Sequence, residues 1–302
     1  MKRNDDLDTA IERWGLTPVV AALAEGDAST PPDEVRRRLL GHAAAAPPLL
    51  SPTLSPVDLY RARVAALDQL LDTLADEDWE RRATPYQWTV HGLVAHLLVI
   101  EQCTAAMFGL GKMPSGDEND HLAVGRALID TELLGSPLST AGRWRTAARQ
   151  ISDHIGSDAF RPNAPATLHG WPFTGSSLLV ARAFELWTHV NDIARAVGRL
   201  ERPTPAEELR TMSSFSVATL PYTLSLVDPR QTFSSARVVL TGPGGGTFDI
   251  GTGERTTLIV ADVVDYCRMV ARRIDPDVLD STIEGDTELA GALLRASQAF
   301  AV

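Results

Sequence analysis

Arg182-Ala183-Phe184-Glu185-Leu186-Trp187-Thr188-His189-Val190-Asn191-Asp192 is the stretch from which this chain is best read. Its pattern is that of the middle of a helix. Glu185 and His189 stand four positions apart, which stacks a carboxylate and an imidazole on one face. Phe184, Leu186, Trp187, Val190 and Ile193 surround them with apolar surface, so the pair is expected to face the inside of a helical bundle. A buried Glu–His pair is costly unless something positive or hydrogen-bonded satisfies it. A divalent cation is one answer; a satisfied core pair with no metal is the other. His96, in the apolar helical run Val90-His91-Gly92-Leu93-Val94-Ala95-His96-Leu97, is the candidate for a further ligand.

Outward from that stretch, helical periodicity recurs on both sides. Ser55-Pro56 opens a helix expected to reach about Asp78, with Leu59, Val64, Leu67, Leu70, Leu71 and Leu74 as its stripe. After a break at Thr84–Trp88, a helix over about 89–108 carries His96. Helices over about 122–131 and 139–155 follow, then a loop from Arg161 to Gly175, then the Glu185–His189 helix, which stops at Gly198. Four principal helices of this kind make a bundle whose interior can host a metal.

Past Arg202-Pro203 the texture changes. Residues 204–227 read as helical with a break at Pro221. Ala236–Thr241, Thr247–Ile250 and about 256–260 read as short strands, and helices are expected over about 261–273 and 286–300. Gly242-Pro243-Gly244-Gly245-Gly246 lacks the Lys-Ser/Thr of a P-loop and the spacing of a dinucleotide fingerprint, and is read as a hairpin turn. The fold expected is α+β: an N-terminal helical extension and linker over 1–52, a bundle over 53–202, and a small α/β domain over 203–302. Within the extension, a helix is read over about 5–25, a second follows a Ser29-Thr30-Pro31-Pro32 start and runs through Glu34 to about His42, and His42 is read as a surface residue.

Charge and cysteine usage narrow the function classes. Lysine plus arginine number 28 against 39 aspartates and glutamates, a formal net charge of −11. That balance argues against nucleic acid or an anionic membrane as partner. Lys2 and Lys112 are the chain's two lysines; arginine carries the rest of the positive charge, and with abundant alanine this points to a GC-rich, actinobacterial genome. Cys103 and Cys267 lie far apart in apolar contexts and are read as packed thiols of a reducing cytoplasm. No stretch is read as long and apolar enough to span a bilayer.

Among the remaining histidines, His91 is five residues from His96, well round the helix, and is read as a surface residue at the helix start. His121, His154 and His169 are assigned to loops or their neighbourhood, with structural or exposed roles. Asp192, one turn beyond His189, is read either as a carboxylate behind a ligand histidine or as a helix-surface acid. Arg272-Arg273 end an apolar helix, where they either satisfy its C-terminus or pin an anionic substrate.

Trp88-Thr89-Val90, Val94-Ala95-His96-Leu97 and Ala181-Arg182-x-x-Glu185-x-Trp187-x-His189-x-x-Asp192 together resemble the DinB-like bundle of the mycothiol-dependent maleylpyruvate isomerase family. Val239-Leu240-Thr241-Gly242-Pro243, Asp265-Tyr266-Cys267, Arg272-Arg273, Gly285-Asp286 and Ser297–Ala301 resemble the sterol-carrier-like domain that follows it, so the likeness spans about 53–302. The resemblance implies a divalent metal, typically zinc, on His96, Glu185 and His189, mycothiol as thiol co-substrate, and an arginine of the 272–273 pair binding a carboxylate. It implies isomerisation of, or S-transfer to, a small electrophile; resembling proteins exchange mycothiol onto a sugar intermediate in lincosamide biosynthesis, a natural-product setting. Gly92 stands where an acidic residue is often found, the chain ends at Val302 without a Gly/Pro-rich tail, and the extension is outside the pattern. The alternative expectation is a non-catalytic small-molecule-binding protein of the same fold.

Overall fold

The computed structural model describes residues 52–83, 88–114, 121–168, 171–231 and 235–300, side chains at 121–124, 168 and 300 excepted, all within one compact unit, Leu50–Val302. The expected extension, with its helices and His42, lies outside the described residues but for its last position.

The bundle is built from α1 (Pro56–Leu71), α2 (Val90–Met107), α3 (His121–Leu133), α4 (Pro137–Ile155) and α5 (Gly175–Ala196). The first helix begins where the sequence demands it: Ser55 Oγ accepts from the Asp58 amide at 3.1 Å with proline at the first helical position. Thr89, Ser136 and Thr174 cap α2, α4 and α5 in the same way. α1 lies along α5, α2 along α4, and α3 against α2. Leu67, Leu71, Leu93, Leu97, Trp144, Ile151, Leu179 and Leu186 form their shared core.

Three expectations for this half are corrected. α1 stops at Leu71 rather than near Asp78: Asp72 is still right-handed, but the amides of Thr73 and Leu74 bond three residues back, to Leu70 and Leu71, and the helix runs out in a tightened turn. Leu74 still packs on the core from an irregular segment, followed by a 3-10 turn at Asp76–Glu80. The expected loop 161–175 contains a hairpin, β3 (Pro165–Leu168) with β4 (Trp171–Thr174), and a second small ladder joins β1 (Arg82–Ala83) to β2 (Trp88–Thr89). α2 is, by length and a mean hydropathy of 1.3, apolar enough to cross a bilayer, contrary to the reading that no stretch was. Its apolar surface is spent on the bundle interior instead: residues 90–101 are all buried.

The C-terminal part places α6 (Ala206–Val227), α7 (Val263–Val270) and α8 (Thr287–Ser297) against a four-stranded sheet of order β6-β5-β7-β8. Its strands are β5 (Ser235–Thr241), β6 (Gly246–Gly251), β7 (Thr257–Asp262) and β8 (Ser281–Gly285); β5 and β7 run parallel and the other pairs antiparallel. The glycine run is the β5–β6 hairpin turn, with Gly242 and Gly244 at positive φ. A Cβ at Gly245 would fall 2.1 Å from the Leu240 carbonyl, so the tight turn excludes side chains. Pro221 does not break α6, as had been expected. A mid-helix proline costs about 3 kcal/mol. Val217, Leu220 and Leu224 are fully buried on the same helix, and at about 1.5–3 kcal/mol each their burial outweighs that cost. One core cluster runs from Leu59 of α1 and Val180, Phe184 and Trp187 of α5 through α6 to the sheet, so the ligand-bearing helix is packed on both sides.

Candidate metal centre

α2 and α5 bring His96, Glu185 and His189 together, with one ligand atom of each within 4.8 Å of the others. His96 Nε2 and Glu185 Oε1 are 2.9 Å apart, and the His189 ring stands edge-on to His96 at 5.6 Å between centroids. Trp88, at the start of α2, lies against His96 at 5.0 Å and fixes the ring from behind. Both histidines are buried. Burial, the neighbouring His189 and the Arg182 charge hold His96 well below the ordinary histidine range, and burial likewise lowers His189. Both rings are therefore neutral at pH 7, which is the form that coordinates.

Two further polar edges of the trio are held, the outer oxygen of Glu185 and Nδ1 of His189. Arg182, fully buried one turn before Glu185, donates through Nη1 to Glu185 Oε2. Its Nη2 donates to Glu101 Oε1 at 3.3 Å, and Glu101 also accepts from Tyr60 Oη at 2.9 Å. Burial and the Glu101 carboxylate push the Tyr60 phenol well above its usual range, so it stays a donor. Arg182 thus bridges two carboxylates, its single positive charge shared between the fully buried Glu101 and the partly exposed Glu185.

Behind His189 lies Asp192, buried and 3.0 Å from Nδ1. Asp192 also receives Arg273 at both oxygens, Nε to Oδ1 at 3.0 Å and Nη2 to Oδ2 at 2.5 Å, and Arg195 at 3.1 Å. Burial opposes the charge on Asp192, but the hydrogen bonds from His189 and Arg273 prevail and keep its pKa below the usual carboxylate value. With Nδ1–H donated to a carboxylate, the lone pair of His189 sits on Nε2, the nitrogen left to face the trio.

Two neutral imidazoles and a carboxylate form a set that suits a divalent cation, with protein groups already orienting the outer edge of the carboxylate and of one imidazole. The proton now shared by His96 and Glu185 is the one a cation would replace.

Arg273 follows α7 in the sheet-containing part and is bound to Asp192, its side chain 8% exposed. Arg272 precedes it, exposed and at φ 58, the one positive-φ residue other than glycine among those described. His91 is corrected: it is buried, not at the surface, with Nε2 3.0 Å from Thr140 Oγ1, which in turn donates to Glu132. His154 closes α4, stacked on Phe108. The His121 side chain and His169 lie outside the described residues. Cys103 is buried, and burial lifts its thiol to about 11. Sequence reasoning gave no role to Arg182, Glu101 or Tyr60. The available signal was one acid, Glu101, in an otherwise apolar helix turn, and an arginine three positions before Glu185.

A DinB-like helix bundle with a buried His–Glu–His trio, followed by a β-containing domain, defines the class. Residues 60–194 match the family model described as Mycothiol maleylpyruvate isomerase N-terminal domain. An uncharacterized protein of Mycobacterium tuberculosis, found in two strains, is 26% identical over 255 residues, covering 80% of this chain and 93% of its own length. The crystal structure of the mycothiol-dependent maleylpyruvate isomerase matches with a TM-score of 0.52 at 17% identity, over 75% of this chain and 91% of that one. A histidine-to-alanine mutant of that enzyme matches with a TM-score of 0.50 at 15% identity. At such identities the likeness is one of fold.

Proposed function

We propose that this protein activates mycothiol, a low-molecular-weight thiol, at a divalent metal, zinc, held by His96, Glu185 and His189, and directs it at a small electrophilic metabolite. The observation that carries the reading is the convergence of the three ligand atoms within 4.8 Å inside a bundle that matches the mycothiol maleylpyruvate isomerase family model. The cation supplies Lewis acidity, which lowers the pKa of a thiol brought to it so that thiolate is present at neutral pH.

The protein's own share is positioning. Asp192 and Arg273 fix the tautomer and tilt of His189, and Arg182 leaves only one oxygen of Glu185 for coordination. Arg273 is taken up by Asp192, which leaves Arg272 as the arginine of the pair available to a substrate carboxylate. In isomerisation the sulfur adds to a conjugated double bond, the resulting single bond rotates, and expulsion of the sulfur restores the double bond in the other geometry. In S-transfer a C–S bond forms as a leaving group departs with its electron pair. The two buried free cysteines suit a reducing cytoplasm.

The test is turnover of the zinc-loaded protein with mycothiol and two electrophile classes: a cis-configured conjugated keto acid, and a sugar with a displaceable thiol or thioether. Thiol-dependent conversion of either, lost in Glu185→Gln, supports the reading. Stoichiometric metal without conversion of any thiol–electrophile pair would instead favour a small-molecule-binding protein of the same fold.

A further inference from the structure

A second cavity, of about 330 Å³, opens on the other side of the ligand helix. It exists because α1 presents Ala62, Ala65 and Ala66 where it faces Val190, Asn191 and Ala194 of α5; three missing side chains leave the gap. The connection after α5 supplies its rim, with Arg199, Arg202 and Thr204. Asn191 lies two positions, about 200° of helical turn, from His189, so the cavity and the metal centre are on opposite faces.

Its lining is unlike the rest of this acidic chain. Among the described residues around it there are three arginines and no aspartate or glutamate. Arg63 is neutralised by Glu208 at 2.5 Å. Arg199 binds Thr73, with Asp78 no nearer than 3.7 Å. Among the described residues Arg202 meets only the neutral Gln69 amide, at 3.3 Å. At the floor, Asn191 is 7% exposed, and its carboxamide has no side-chain hydrogen bond among the described residues. Asn191 lines the cavity, so its carboxamide is open to whatever occupies it and can both donate and accept there. Two rim cations over that donor–acceptor floor form a small polar pocket of the size that holds a metabolite.

We infer that this cavity binds a small molecule carrying an oxyanion, a carboxylate or a phosphate, which Arg202 and Arg199 pair while Asn191 hydrogen-bonds its polar body. The site is separate from the metal centre.

The probes are succinate and inorganic phosphate, titrated separately by calorimetry into the full chain at low ionic strength, before and after chelation. Saturable binding of either at one site per chain, unchanged by chelation, is expected; which of the two binds identifies the oxyanion. Arg202→Gln and Asn191→Leu should each weaken it about tenfold, the loss of one charge-assisted or buried hydrogen bond. Arg149→Gln, on the exposed side of α4, should leave it unchanged. Arg202 is exposed, so its variant keeps the test valid should Asn191→Leu not fold. Absence of binding, binding that survives Arg202→Gln intact, or binding that disappears with the metal would each overturn the assignment.

Discussion

Arg273 and Asp192, 81 positions apart, form a two-point hydrogen-bonded pair that ties the chain just after α7 to the carboxylate behind His189. The sheet-containing part of the molecule thereby reaches into the bundle and orients a candidate metal ligand.

Breaking that pair should separate orientation from folding. Asp192→Asn keeps the shape but loses the charge that holds His189 Nδ1–H, and metal affinity should fall about 10–100-fold. Arg273→Ala leaves a buried carboxylate with fewer donors and should cost about 3 kcal/mol of stability. In a double-mutant cycle, read by urea unfolding and by competition for zinc with a chelating dye, the two effects should be strongly non-additive. Additive losses would mean the pair does not act as a unit.

Arg182 should be among the most sensitive positions in the bundle. Arg182→Met strands Glu101 and Glu185 without their cation, and a loss of about 3–5 kcal/mol is expected. Added zinc should recover part of it, because a cation at the trio supplies charge to Glu185 but not to Glu101. Thermal unfolding with and without zinc measures this; an unchanged midpoint in the variant would contradict the arrangement.

Acid should destabilise the metal-free protein through its histidines. Burial lowers the pKa of His91, His96 and His189 in the folded state. The unfolded chain therefore takes up these protons first, near pH ~6.5. The stabilisation is complete above that value and is lost as pH falls below it toward the folded pKa values, by at most about 1.4 kcal/mol per pH unit for each group. Urea unfolding of chelated protein at about pH 7.5 and about pH 5.5 should show the loss, and His91→Gln should reduce it by one proton's share. A flat profile would show that these rings titrate as they do in water.

Cys103 should be silent in the native protein. Burial keeps its thiol protonated to about 11, so a disulfide reagent at about pH 8 should label it only after unfolding. Rapid native labelling would show a thiolate that the packing does not permit.

Much of this could be read in the sequence because it is local. The four-residue spacing of Glu185 and His189, the Ser-Pro helix start at Ser55 and the glycine turn after Thr241 are each encoded within a few positions. What escaped is long-range. Tyr60, Glu101 and Arg182 meet across three helices, and no spacing announces it. Asp192 looked like either of two things until Arg273 came into view. The β3–β4 hairpin was hidden because Pro162, Pro165 and Pro172 read as loop, and proline is tolerated in such an edge ladder. Leu74 continued the helical stripe of α1 although the chain had already turned, since packing on the core does not require a helix. Pro221 misled for the opposite reason: burial along α6 outweighs one missing hydrogen bond.

The measurement that tests the account most directly is the metal content of protein purified without a chelator or a histidine tag, beside His96→Ala and His189→Ala variants. The account predicts about one zinc per chain in the parent, its loss in both variants, and helical content largely unchanged. Full occupancy in either variant, or a parent that neither contains nor takes up a divalent cation, would contradict it.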